Sequence, residues 1–98
     1  MEIIHLEKDN FKELIGNEKK VLVDFFANWC GPCKMLGPVL EEYKSDMKVI
    51  KVDVDLFNEL AREYAIMSIP TLVIIEDGKE VKRNIGFISE DELEIFLK

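Results

Sequence analysis

Val21-Leu22-Val23-Asp24-Phe25-Phe26-Ala27-Asn28-Trp29-Cys30-Gly31-Pro32-Cys33 is the stretch on which the fold turns. The nearly unbroken apolar run from Val21 to Ala27 has the composition of a strand buried on both faces. It leads into the only two cysteines, three apart, at the opening of a segment with helical periodicity. Residues i and i+3 share one helix face with Cβ atoms about 5–6 Å apart, and a disulfide needs about 3.5–4.5 Å. A slightly tightened first turn closes that gap. A strand feeding a Cys-x-x-Cys pair at a helix start reads as a dithiol redox site.

Two other readings fit less well. Structural bridges stabilise mainly by closing long loops, and a two-residue loop offers little of that. A closed zinc site needs four ligands, whereas one Cys-x-x-Cys supplies two. The only histidine, His5, stands beside a charged turn, and no second cysteine pair exists. No metal and no cofactor is therefore expected.

Composition sets the broader limits. The chain has 98 residues, 48% hydrophobic and 34% charged, an ordinary balance for one soluble domain spanning residues 1–98. A formal charge of −7 and a pI near 4.7 argue against nucleic acid or an anionic membrane as the main partner. No apolar stretch approaches the roughly 18 residues of a membrane span. The start, Met1-Glu2-Ile3-Ile4-His5, lacks the basic and long apolar regions of a secretory signal. A cytoplasmic chain is expected, where cysteine pairs tend to be catalytic and transient.

The rest alternates strands and helices, without repeats or linkers. Ile3 to Leu6 reads as a short strand. Asp9 or Asn10 is positioned to cap a helix running to about Gly16, with Asn10 and Glu13 at capping-box spacing. From Cys33 to about Ser45, Met35, Leu36, Val39, Leu40 and Tyr43 mark one helical face, with Pro38 inside it. Val49 to Val54 reads as a strand, and Leu56, Leu60, Ala61 and Tyr64 suggest a short helix. Thr71 to Ile75 and Glu80 to Ile85 form a hairpin around Asp77-Gly78. Ser89 with Glu92 gives a capping box before a last amphipathic helix carrying Leu93, Phe96 and Leu97. The order βαβαβαββα predicts an α/β sandwich with a mixed sheet. Periodicity alone leaves the strand order open.

Several of these segments together resemble the thioredoxin family, and the resemblance covers the whole chain. They are Val-Asp-Phe-Phe-Ala-Asn-Trp-Cys-Gly-Pro-Cys-Lys from Val23 to Lys34, then Pro38, Lys51-Val52-Asp53, Ile69-Pro70-Thr71 and Gly86. The resemblance implies the thioredoxin fold, a central five-stranded mixed sheet in the order 1-3-2-4-5 flanked by four helices. It also implies a monomer that exchanges electrons with disulfide-containing substrate proteins and with a thioredoxin reductase. One departure is visible: Phe26 stands where many members carry a second tryptophan.

Roles can be assigned residue by residue. Cys30 opens the helix, so it is expected to be exposed at the positive helix end, where thiolate is favoured over thiol. Cys33, one turn in, is expected to be more buried and to act as the resolving thiol. Gly31 leaves room for a substrate backbone. Pro32 suits a first helical turn and brings no charge. A histidine in that loop would stabilise the Cys30 thiolate and make a stronger oxidant, so Gly31-Pro32 points to a reductant. Lys34 reads as a solvated helix charge.

Asp24 interrupts the most apolar strand, where a carboxylate is disfavoured unless paired or protonated. The family resemblance implies that it lies beneath the cysteines and helps deprotonate Cys33, with Lys51 nearby. Lys51 is equally readable as an ordinary strand lysine. Pro70 marks a strand boundary on its own; the resemblance implies a cis Ile69–Pro70 bond beside the cysteines, exposing the Ile69 backbone to an extended substrate segment. Trp29 and Gly86 would complete that docking surface. A general disulfide reductase is the leading reading. A disulfide oxidant or isomerase on the same fold, and a non-catalytic binding module, are the alternatives.

Overall fold

The computed structural model describes residues 1–98. Nine elements follow one another: β1 (Glu2–His5), α1 (Phe11–Gly16), β2 (Lys20–Phe26), α2 (Gly31–Glu42), β3 (Lys48–Asp53), α3 (Asn58–Glu63), β4 (Thr71–Glu76), β5 (Lys79–Ile85) and α4 (Glu90–Leu97). The strands form one sheet in the order β1-β3-β2-β4-β5, as the family resemblance implies. β1 and β2 run parallel to β3, whereas β4 runs antiparallel to both β2 and β5.

Alternation along the strands sends side chains to two separate cores. Val21, Val23 and Phe25 of β2 join Ile50, Val52, Val73 and Ile75 against Phe11 and Ile15 of α1 and Ala61 of α3. Leu22 of β2 joins Val49, Leu72 and Ile74 against Leu36 and Leu40 of α2 and Leu93 and Leu97 of α4. β2 is thus enclosed by strands on both edges and helices on both faces. Truncating a fully buried leucine such as Leu36 to alanine removes about 2–5 kcal/mol in comparable cores.

Turn and cap chemistry sets the ends. Asp77 and Gly78 both have positive φ, 51° and 82°, as a two-residue hairpin turn of type I′ requires. Pro38 lies inside α2 and cannot donate to the carbonyl four residues back. α4 has no basic residue in its last turn. Lysines from the sheet serve instead: Lys20 Nζ lies 2.8 Å from the Leu97 carbonyl and Lys82 Nζ 2.9 Å from that of Phe96. Both place positive charge at the negative helix end.

Three local expectations are corrected. Asn10 precedes α1 but its side chain makes no capping bond. Its backbone, at φ −133° and ψ 27°, is not in the extended conformation from which a capping oxygen reaches the helix amides. α2 begins at Gly31 and ends at Glu42, and its buried stripe is Cys33, Leu36 and Leu40; Met35, one step round the helix, faces solvent. Leu56 is also exposed, because α3 starts only at Asn58 and Phe57 packs in its place.

The two capping boxes offered by the sequence therefore differ in kind. At Ser89 the box is complete, with Ser89 Oγ accepting from Glu92 N–H at 3.2 Å and Glu92 Oε1 accepting from Ser89 N–H at 3.0 Å. Ser89→Ala is expected to lower stability by about 1 kcal/mol, and Asn10→Ala by less than about 0.5 kcal/mol. Denaturant midpoints at unchanged slope measure both; equal losses would contradict this account of the caps.

Candidate active site

The enclosed strand β2 delivers its chain at Phe26 to a short connection that ends at Cys30, the residue capping α2. Cys30 has extended backbone (φ −87°, ψ 113°), the usual cap conformation, and its sulfur accepts the Cys33 N–H at 3.2 Å. Cys30 and Cys33 are joined in a disulfide with Cα atoms 5.2 Å apart. Gly31 and Pro32 between them are exposed, and a Cβ at Gly31 would meet nothing within 4 Å. Lys34 is exposed as well.

One expectation changes here. Cys30 is only 5% exposed, close to the 3% of Cys33. Bonded to each other, both sulfurs fold inward against Ala27 and are flanked by Phe26, Val54 and Ile69.

Asp24 is 1% exposed. It follows Leu22 on the face of β2 that α2 covers, so it lies beneath the helix that carries Cys33. Its register partner on β3 is Lys51, whose Nζ stands 3.6 Å from Asp24 Oδ2. That is ion-pair distance but too long for a hydrogen bond, and neither carboxylate oxygen has a hydrogen-bond partner. Burial pushes the Asp24 pKa up to about 6, against the opposing pull of the Lys51 charge.

The Ile69–Pro70 peptide is cis, and the Ile69 carbonyl oxygen lies 3.8 Å from the Cys30 sulfur. Pro70 is buried, and its carbonyl accepts from Gly86 N–H at 2.8 Å. Gly86, at φ +96°, adopts a conformation that glycine alone enters without strain. Thr71 Oγ1 closes the turn by donating to the Ser68 carbonyl at 2.6 Å. No backbone hydrogen bond of the chain uses the Ile69 N–H or carbonyl.

Trp29 is 70% exposed, as its position beside Cys30 suggests, and its Nε1 donates to Asp55 Oδ2 at 2.9 Å. With Val54, Ile66, Met67 and Ile69 it lines a largely apolar groove of about 210 Å³. A larger hollow of about 490 Å³ between α1 and α3 is lined by Asp9, Lys12, Glu13, Glu59 and Glu63 and contains no cysteine. Sequence reasoning missed Asp55 and Met67. Met67 is 92% exposed, yet an apolar residue shortly before a buried strand reads as core. No group of His, Cys, Asp and Glu is arranged to hold a metal, and no helix is long and apolar enough to cross a membrane.

The family model described as thioredoxin matches residues 2–98. The chain belongs to the thioredoxin family. Members of that family are protein-disulfide oxidoreductases, and the cysteine pair described above is the equipment for dithiol–disulfide exchange. A thioredoxin from Mycoplasmoides gallisepticum is 51% identical over 94 residues, which cover 93% of this chain and 94% of that protein. A bifunctional thioredoxin reductase/thioredoxin from Mycobacterium leprae is 49% identical over 80 residues, 78% of this chain but 18% of that longer protein. Among solved structures, a thioredoxin from Halobacterium salinarum superposes with a TM-score of 0.89 at 36% identity, covering 97% of this chain and 88% of that one.

The raised pKa of Asp24 has a thermodynamic consequence. An unfolded aspartate releases its proton at about 3.9, whereas native Asp24 holds it to about 6. Below the unfolded value both states are protonated and there is no penalty. Between the two values the unfolded state ionises first, so stability falls as pH rises, by about 1.36 kcal/mol per unit, and levels off above about 6. Asp24→Ala should therefore gain about 2–3 kcal/mol relative to the parent on going from pH 4 to pH 7, while its cavity cost cancels between the two pH values. Guanidinium melts of the oxidised proteins measure this; a difference independent of pH would contradict the buried acid.

Proposed function

We propose that the chain is a general protein disulfide reductase, acting as one thioredoxin domain over residues 1–98. Cys30 is the nucleophile. Its thiolate, at the positive end of α2, attacks one sulfur of a substrate disulfide. That S–S bond breaks, one substrate thiolate leaves and takes a proton from water, and Cys30 is held in a mixed disulfide. Cys33 then gives its proton to Asp24, and its thiolate attacks the Cys30 sulfur. The mixed disulfide breaks, the second substrate thiolate leaves, and the Cys30–Cys33 disulfide forms. Two electrons have passed from the protein's dithiol to the substrate.

The observation that carries this reading is the Cys30–Cys33 disulfide at the start of α2, the helix packed on the face of β2 that bears a carboxyl with no hydrogen-bond partner. An acid with a pKa of about 6 accepts a proton at neutral pH more readily than an ordinary aspartate. Lys51 supplies the positive charge that keeps the carboxylate accessible. Ile69 offers its unpaired backbone N–H and carbonyl to an extended substrate strand, and Pro70 and Gly86 hold that backbone in place. Gly31 and Pro32 leave the approach to Cys30 open, and Trp29 forms one wall of the docking groove. The dithiol is recharged by a thioredoxin reductase, a partnership supported by the relative in which the two activities share one chain. The protein works as a monomer in the cytoplasm.

Turnover is the test of function. Substoichiometric protein should accelerate the reduction of a protein disulfide by excess dithiol, which a binding module would not do. The division of labour is read separately: Cys33→Ser should accumulate a stable mixed disulfide with substrate, and Cys30→Ser almost none. Equal trapping by both variants would contradict the assigned roles.

A further inference from the structure

Lys51 faces two groups at once. Its Nζ lies 3.6 Å from Asp24 Oδ2 and 4.5 Å from the centroid of the Phe26 ring. Asp24 and Phe26 are two apart on β2 and project to the same face, and Lys51 is the register partner of Asp24 on β3. The Lys51 side chain is only 14% exposed. The negative face of an aromatic ring replaces part of an ammonium's solvation. Without the ring, a lysine on a flexible four-carbon stem has every reason to turn outward to solvent.

We propose that Phe26 is a positioning residue, its ring holding the Lys51 ammonium beside Asp24 and so fixing the field at the carboxyl that receives the Cys33 proton. This rests on the role given to Asp24 above. Other charges facing Lys51 are few. His5 on β1 is its second register partner and is exposed. Asp53, two residues along β3, already accepts from Asn28 Nδ2 and from the Asp55 N–H. α2 covers this face with Cys33, Leu36 and Leu40, its first-turn Lys34 being exposed, and α4 with Leu93 and Leu97. The Asp24 carboxyl therefore depends on one cation, and that cation on one ring.

The test is an NMR titration of the Asp24 carboxyl carbon in the oxidised protein. Phe26→Leu should raise the Asp24 midpoint by about half a pH unit, the size of a partly desolvated cation–π contact. Phe26→Trp, which keeps a ring and strengthens its face, should leave the midpoint at or below the parent value. Lys51→Met should raise the midpoint by itself, and adding Phe26→Leu should move it no further. An unchanged midpoint in Phe26→Leu, or the same shift with and without Lys51, would overturn the proposal. The titration needs no turnover. Failure of Asp24 as proton acceptor would appear separately, as a pH-independent rate of mixed-disulfide release in the parent.

Discussion

The enclosure of β2 is the constraint on which the site depends. Strands pair along both its edges and helices cover both its faces, so any residue in its middle is cut off from water. That is why a carboxyl at position 24 stays protonated well above the usual range. The same strand ends at the connection to Cys30, and so ties the cysteine pair to the strand that carries the acid. An aspartate on β5, which is largely exposed along its length, would do neither.

The proposed mechanism then uses two different electrostatic devices for two chemically similar thiols. Cys30 sits at the cap of a twelve-residue helix, where the Cys33 N–H aimed at its sulfur and the helix dipole favour the thiolate without any base. Cys33 lies within the first turn and has less of that help, so in the proposed exchange its proton needs a nearby acceptor. In the proposed mechanism Asp24 meets the need at a cost in stability, since a buried acid without a hydrogen-bond partner is unfavourable whenever the unfolded chain would ionise it. Local destabilisation at a reacting group is a common consequence of function.

What could be read from the sequence was what short-range chemistry determines. Ser89 with Glu92, and Asp77-Gly78, declare themselves because cap and turn are decided within four residues. The apolar run around Asp24 announced burial, and the motif resemblance supplied the strand order that periodicity could not. The misses are tertiary. Asn10 has capping spacing but the wrong backbone angles. Leu56 fits a helical period but precedes the helix. The Trp29–Asp55 hydrogen bond and the capping of α4 by Lys20, 77 residues away from Leu97, join segments that no local pattern connects. Cys30 was expected to be open, but the partner sulfur and Ile69 cover it in the disulfide form.

This pair is proposed to be a reductant. Gly31-Pro32 brings no charge to stabilise the Cys30 thiolate, and the reduced site must hold that thiolate above a buried acid. Disulfide formation relieves this arrangement, so by a thermodynamic cycle the oxidised fold should be the more stable of the two, even though its small loop adds little chain entropy. Guanidinium melts of the protein with and without excess dithiol decide the matter. The oxidised form is predicted to unfold at higher denaturant; a reduced form that outlasts it would contradict the account and make the pair an oxidant.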